Sequence, residues 1–374
     1  MTGLRALLAG LCLLVTAGGA LAQGRTFVAE GTDVAAAVGA RALAMGGSGT
    51  AIANDPHAIY YNPALIAGLD RPMLSVTRQL NAKVRPFSFL GMTMPVSTFE
   101  PLGLNVTLGY AHFPRVHARS TGAFAASDPQ SIFLRLLLPG LGGVYDGVID
   151  SKTLVHRFAL GVAPTGDTGL SLGVAVDLID CRTNTCGVQA RTGTTRLDQV
   201  EADAISLTAG VAYRFSDRFR VGVSVNDIRT TLHAQMVTVI NGTTTSRAFT
   251  ARLPMTLNAE MAWQATGHLL LTAGYRQFSG RYGTRQVNIR GAYAGAEYTF
   301  DNGLALRAGG LRVMQASFNN SGNIRLPIPV IPSVGAGWST GDFTVDAALY
   351  AHPIMSYHYG RAAPTVEVSL SYKF

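Results

Sequence analysis

The sequence predicts an all-β protein, a 14-stranded antiparallel transmembrane β-barrel, and three observations carry the prediction. Runs of about 9 to 14 residues alternate between large apolar and small or polar side chains, longer than globular strands and matched to a tilted bilayer crossing. Short connections built from Gly, Asp, Asn and Ser alternate with long ones, the layout of short periplasmic turns and longer outer loops. Beyond the N-terminal apolar stretch, Arg, Asp, Ser and Gly interrupt every window before it reaches the length of a spanning helix, so a membrane crossing is made by strands.

At the N-terminus one positive charge, Arg5, precedes an apolar run from Ala6 to Val15 and the small-residue site Ala20-Leu21-Ala22. Residues 1–22 are expected to be a cleaved signal peptide, because Thr16-Ala-Gly-Gly ends the run short of a membrane anchor. Cys12 lies within that run and lacks a lipobox. The expected destination is the cell outer membrane, with outer-membrane lipid as partner. Composition agrees: 42 glycines and 14% charged residues, where a soluble domain carries about 25%. The formal charge of +8 comes from single arginines spread along the chain, not from a basic cluster, so no nucleic-acid partner is expected. Cys181 and Cys186, with four residues between them in an oxidising compartment, are expected to form a disulfide across a loop tip; no metal is expected, since C-x-x-C spacing and a nearby histidine are both missing.

The first clear strand places Leu102, Leu104, Val106, Leu108 and Tyr110 on one face, against Gly103, Asn105, Thr107 and Gly109. The same dyad recurs in Leu170–Leu178 and Ile205–Phe215. Strands are expected at about 72–80, 84–95, 101–113, 152–164, 168–180, 201–215, 218–234, 249–264, 267–278, 289–300, 303–314, 331–340, 342–352 and 364–374, an even count as closure prefers. Tight turns are expected at 164–169, 216–217, 265–267, 301–303 and 339–342, and long connections at about 115–150, 181–198, 235–249, 279–288 and 315–330. In the last strand Val366, Val368, Leu370, Tyr372 and Phe374 alternate with Glu367, Ser369, Ser371 and Lys373. Its aromatic end, Tyr372 and Phe374, resembles the signal read by the barrel-assembly machinery, which is therefore an expected partner.

Residues 23–70, ahead of the barrel at 71–374, are too rich in Ala and Gly for a barrel strand. The order is Gly46-Gly47-Ser48-Gly49, then Asn54-Asp55, then Tyr60-Tyr61-Asn62-Pro63-Ala64. Small residues let backbone pass close to a wall, and Asn62-Pro63 fixes a turn. No P-loop lysine follows the glycines, which argues against nucleotide binding. The segment resembles that of the FadL-type outer-membrane transport proteins and the related PorV/PorQ-type barrels. The resemblance implies a hatch folded inside the lumen of a fourteen-stranded barrel, formed by Gly46, Gly47, Gly49, Asn54, Asp55, Asn62, Pro63 and Ala64.

Arg214, Asp177, Asp346 and Arg307 are the inward candidates for a charged constriction. Two connections are unusually apolar: one contains Phe133, Leu134, Leu137 and Leu138, the other Leu326, Ile328 and Val330. Together they are expected to form a capture site for a hydrophobic small molecule, or else to pack on each other as a lid or lie in the lipid interface. The histidines are scattered outside G-x-S-x-G and H-E-x-x-H contexts, so neither an enzyme nor a cofactor is expected. Passive transport of fatty acids or hydrocarbons is the expected function, by loop capture and hatch-gated diffusion. The alternative is a PorV/PorQ-like barrel that binds a protein partner in secretion or envelope assembly.

Overall fold

Dyad alternation gives every long strand one apolar and one small or polar face, and the fold buries the polar face. The computed structural model describes residues 26–30, 37–80, 88–124, 145–166, 169–180, 187–192, 196–282, 285–318 and 330–374. Residues 1–22, Cys181, Cys186, Phe133, Leu134, Leu137, Leu138, Leu326 and Ile328 lie outside that range.

Fourteen antiparallel strands form the barrel wall: β1 (Met73–Gln79), β2 (Phe89–Val96), β3 (Leu104–Phe124), β4 (Tyr145–Pro164), β5 (Leu170–Asp180 and Gly187–Thr192), β6 (Arg196–Ser216) and β7 (Phe219–Asn226 and Thr231–Ile240). They continue as β8 (Thr243–Arg252 and Met255–Gln264), β9 (Leu269–Tyr282), β10 (Arg285–Thr299), β11 (Leu304–Phe318), β12 (Ile331–Thr340), β13 (Phe343–Ala351) and β14 (Pro364–Lys373). Each pairs with its neighbour, and β14 closes the ring on β1 through a register running from Glu367 opposite Gln79 to Lys373 opposite Met73.

Burial is inverted relative to a soluble protein. On β5, Leu172, Val174, Val176 and Leu178 are exposed while Gly173, Ala175 and Asp177 are buried. On β14, Leu370 and Tyr372 face out, whereas Thr365, Glu367, Ser369 and Ser371 are buried. Exposed Trp263, Tyr298, Trp338, Tyr372 and Phe374 ring the end with short turns, an aromatic girdle at one membrane interface. Tyr372 and Phe374 pack edge to face, with ring centroids 5.0 Å apart. No described helix is long and apolar enough to cross a membrane.

Several connections expected to be long loops are strand instead. Around 235–249, Thr231–Ile240 and Thr243–Arg252 form a hairpin closed by Asn241 (φ 49) and Gly242 (φ 82), a two-residue turn with both centres left-handed. Around 181–198, Gly187–Thr192 continues β5 and pairs with β6; at 279–288, β9 reaches Tyr282 and β10 starts at Arg285. β3 likewise runs on to Phe124 and β4 starts at Tyr145. Above the bilayer a strand need only satisfy its backbone, so the polar run Thr243–Arg252 carries no apolar alternation to be read.

Thr26–Glu30, inside the 23–70 stretch, is a strand paired with residues 117–121 of β3. β2 pairs with β3 only from Val106 to His112, which leaves the upper edge of β3 for another strand to cover. Two wall irregularities matter below: a bulge of β3 at Arg115, and a break in β7 where Asp227 (φ 59) and Arg229 (φ 50) are left-handed.

Candidate functional site

Residues 37–69 pack against the inward faces of the strands. Their elements are a short helix α1 (Ala40–Ala44), a single turn α2 (Ala58–Tyr61) and a 3-10 helix (Pro63–Gly68). Most of these residues are buried, so the chain fills the barrel with its own backbone. Backbone inside a barrel must find partners, and the inward polar residues of the strands supply them.

At α1, Gly39 N donates to Glu367 Oε1 (3.1 Å) and Ala40 N to Ser369 Oγ (2.8 Å). Arg41 grips Glu297 with both arms (2.8 and 2.7 Å) and reaches Asn54 Oδ1 at 2.8 Å. Arg307 bridges Glu297 and Asp346, so the alternating guanidinium and carboxylate groups neutralise one another. Gly46, at φ 74, donates its N–H to Ser333 Oγ at 3.0 Å; a β-carbon there would meet Gly310 O at 2.6 Å. Gly49 N and Thr50 N both donate to Glu260 Oε2 (2.8 and 2.9 Å), which Tyr293 also supports (3.0 Å).

Asp55 accepts from His57 N and faces His57 Nδ1, both at 3.0 Å; His57 Nε2 lies 2.7 Å from Thr77 Oγ1, and Ser371 Oγ donates to Asp55 at 3.2 Å. Burial opposes both charges, yet the pairing outweighs it: the Asp55 carboxyl is held below, and the His57 imidazole above, its usual value.

Asn62 is the central clasp. Its Nδ2 donates to Thr50 O and Val211 O, each at 3.0 Å, tying the Gly-rich stretch to β6, and its Oδ1 accepts from Ala64 N at 3.1 Å. Pro63 opens the 3-10 helix at a position needing no N–H donor. Ser224 Oγ donates to Tyr61 O at 2.6 Å, and Arg157, bidentate on Asp177, donates to Tyr60 O at 3.0 Å. Higher in the lumen the β3 bulge and the β7 break are joined by Arg115, bidentate on Asp227 at 2.8 and 2.7 Å.

The eight N-terminal positions singled out in the sequence lie within residues 37–69, six of them buried, Asp55 half-buried and Asn54 exposed, with links through Asn62–Thr50 and Arg41–Asn54. Of the constriction candidates, Asp177, Arg307 and Asp346 are buried within ion pairs, while Arg214 stands exposed at the short-turn rim beside Asp217. Val330 sits against the outward wall beside Gly310. Sequence reasoning missed Arg41, Arg157, Glu260, Glu297 and Glu367. Their signal was a lone charge on the small-residue face of an alternating strand or inside an Ala-rich helix.

Space remains on either side of the segment. Toward the long connections a crevice is lined by Tyr60, Tyr61, Arg115, Arg157, Asn226, Asn258, Arg276 and Phe278. Toward the short turns a recess of about 540 Å³ is bounded by Ala53, Leu65, Leu69, Ala163, Leu170 and Arg220. Ile52, Tyr61 and Asn62, all buried, stand between them.

No protein-family model matches this sequence, and no curated protein matches it. Solved structures do. The toluene transporter TbuX of Ralstonia pickettii is similar at a TM-score of 0.58 and 14% identity, over 90% of this chain and 98% of that one. A FadL homologue of Pseudomonas aeruginosa gives 0.58 and 15% over 91% and 100%. The toluene transporter TodX of Pseudomonas putida gives 0.57 and 13% over 90% and 99%. These likenesses establish a FadL-type barrel fold, and the inverted burial gives that barrel the apolar outer face of a membrane-spanning one.

Proposed function

We propose that the barrel passes hydrophobic small molecules, fatty acids or hydrocarbons, across the outer membrane without energy coupling. The observation that carries this reading is a channel-type barrel whose lumen is occupied by its own segment 37–69, with a crevice above and a recess below. A wide aqueous pore would conduct any small solute; a plugged barrel conducts only what the plug admits. The similar structures titled toluene transporters support the same substrate class.

Capture falls to the apolar connections containing Phe133, Leu134, Leu137, Leu138, Leu326, Ile328 and Val330. The molecule then enters the crevice at Tyr60 and Tyr61 and waits on the segment, which acts as a hatch. A shift around Asn62 opens the way to the recess, because that side chain ties the Gly-rich stretch, β6 and the 3-10 helix together.

The test is uptake of long-chain fatty acids, aromatic hydrocarbons and terpenes by cells lacking such a transporter, comparing this protein with Asn62→Ala. Uptake of one class, altered in the variant, supports the reading. No uptake from protein folded in the outer membrane refutes transport and favours a barrel that binds a protein partner.

A further inference from the structure

Four lumenal arginines, Arg41, Arg115, Arg157 and Arg307, are paired with carboxylates. Two arginines on the outer wall are not. Register puts Arg312 of β11 opposite Ala292 and Arg290 of β10 opposite Gln315, so the two are diagonal neighbours on the outward face. Both are exposed. Arg290 Nε donates only to Asn288 Oδ1, at 3.1 Å, and among the described residues neither guanidinium has an ion-pair partner.

Their height is fixed by the strand. Tyr298, in the girdle at the short-turn end, lies eight residues below Arg290 on the same outward face. At about 3.4 Å per residue and a tilt of ~40° that is a climb of roughly 20 Å, close to the full apolar band of such a barrel. The arginines therefore sit at the headgroup level opposite the short turns, which is the outer leaflet. Beneath them the wall is shallow: Ala292, Ala294 and Ala296 on β10, Ala308 and Gly310 on β11, with Val330 and Val334 rising at one side. Beside them, Tyr275 OH donates to Gln277 Oε1 at 3.0 Å, adding outward polar groups at the same height.

We propose that this face of β9–β12 holds one phosphorylated outer-leaflet lipid, its phosphate between Arg290 and Arg312 and an acyl chain along the alanine trough. Two uncompensated guanidinium groups at the edge of an apolar band are costly without an anion, and Arg suits phosphate by bidentate hydrogen bonding. Charge and shape select the same ligand: phosphate at the top of the trough, hydrocarbon within it. The site is independent of what crosses the lumen.

The experiment follows the thermal unfolding midpoint of the whole protein in neutral detergent, with a diphosphorylated lipid A, its dephosphorylated form, or inorganic phosphate added. The wild type is expected to be stabilised by the diphosphorylated lipid alone. Arg290→Gln/Arg312→Gln should weaken the apparent affinity roughly tenfold or more, and Arg290→Lys/Arg312→Lys should retain part of it. Lipid A co-purifying from native membranes should fall in the same order. Heat-modifiable gel mobility shows that each variant is folded, and the Lys variant keeps the comparison interpretable if the Gln variant is not. An equal shift with the dephosphorylated lipid, a shift with inorganic phosphate alone, no wild-type shift, or a Gln variant that responds like the wild type would each overturn the site.

Discussion

Gly210 lies on the inward face of β6 where the Asn62 side chain presses on the wall. A β-carbon there would fall well inside van der Waals contact distance of Asn62 Oδ1 and 3.1 Å from Pro63 Cδ. β6 is hydrogen-bonded to β5 and β7 on its two sides, so in Gly210→Ala the segment must yield, by about 1 Å to regain ordinary contact. That stretches the 3.0 Å bond from Asn62 Nδ2 to Val211 O beyond range and weakens its partner to Thr50 O. Leaving a buried polar group unsatisfied costs about 1–3 kcal/mol. With two groups affected the docked segment loses roughly 2–5 kcal/mol, about 30-fold to several-thousand-fold in its docking equilibrium. The assay is influx of a bulky polar antibiotic into cells expressing the variant, with limited proteolysis of residues 37–69 in the purified barrel. Gly68→Ala is the control, since its β-carbon meets nothing within 4 Å. If folded Gly210→Ala is as tight and as protease-resistant as the control, close approach at this glycine does not hold the segment.

Other perturbations follow from the same contacts. Arg157→Met strands Asp177 in the interior and should lower stability by about 3–5 kcal/mol in urea titrations, with much of it recovered in Arg157→Met/Asp177→Leu; additive losses would contradict the pairing. Because the His57 imidazole is held above its ordinary value, its bond to Asp55 contributes fully below about pH 6.5 and is lost as pH rises through the raised value. Proteolysis of the segment should therefore accelerate in alkali for the wild type but not for His57→Gln, and a flat wild-type profile would exclude the latch. Burial pushes His352 down to about 4, so between about pH 6.5 and that value the unfolded chain binds a proton the fold refuses. Stability should fall by up to ~3 kcal/mol over that window and this slope should vanish in His352→Gln; equal slopes would assign the titration elsewhere.

The wall was legible in the sequence because a lipid-facing strand must alternate, and the ends of β4, β6, β8, β10 and β12 all fall at the expected Gly-, Asp- or Ser-containing turns. What was illegible lies where lipid imposes no pattern. Thr243–Arg247 is polar on both faces, and only the Asn241-Gly242 turn betrays its hairpin. The lumenal ion pairs were hidden for another reason: Arg115 and Asp227 are 112 residues apart, on strands that face each other only once register is known. The Gly-rich segment was recognisable as a unit, but its partners Glu260, Glu297 and Glu367 looked like isolated charges on distant strands.

The strand that closes the ring also carries some of the segment's holdfasts. Glu367 receives Gly39, Ser369 receives Ala40 and touches Thr77 of β1, and Ser371 reaches Asp55. Before β14 joins β1, the N-terminal stretch therefore lacks a wall to lean on along that side, and the open sheet lacks the filling that would bridge its two free margins. Sealing the cylinder and seating its stopper are in this sense a single assembly event.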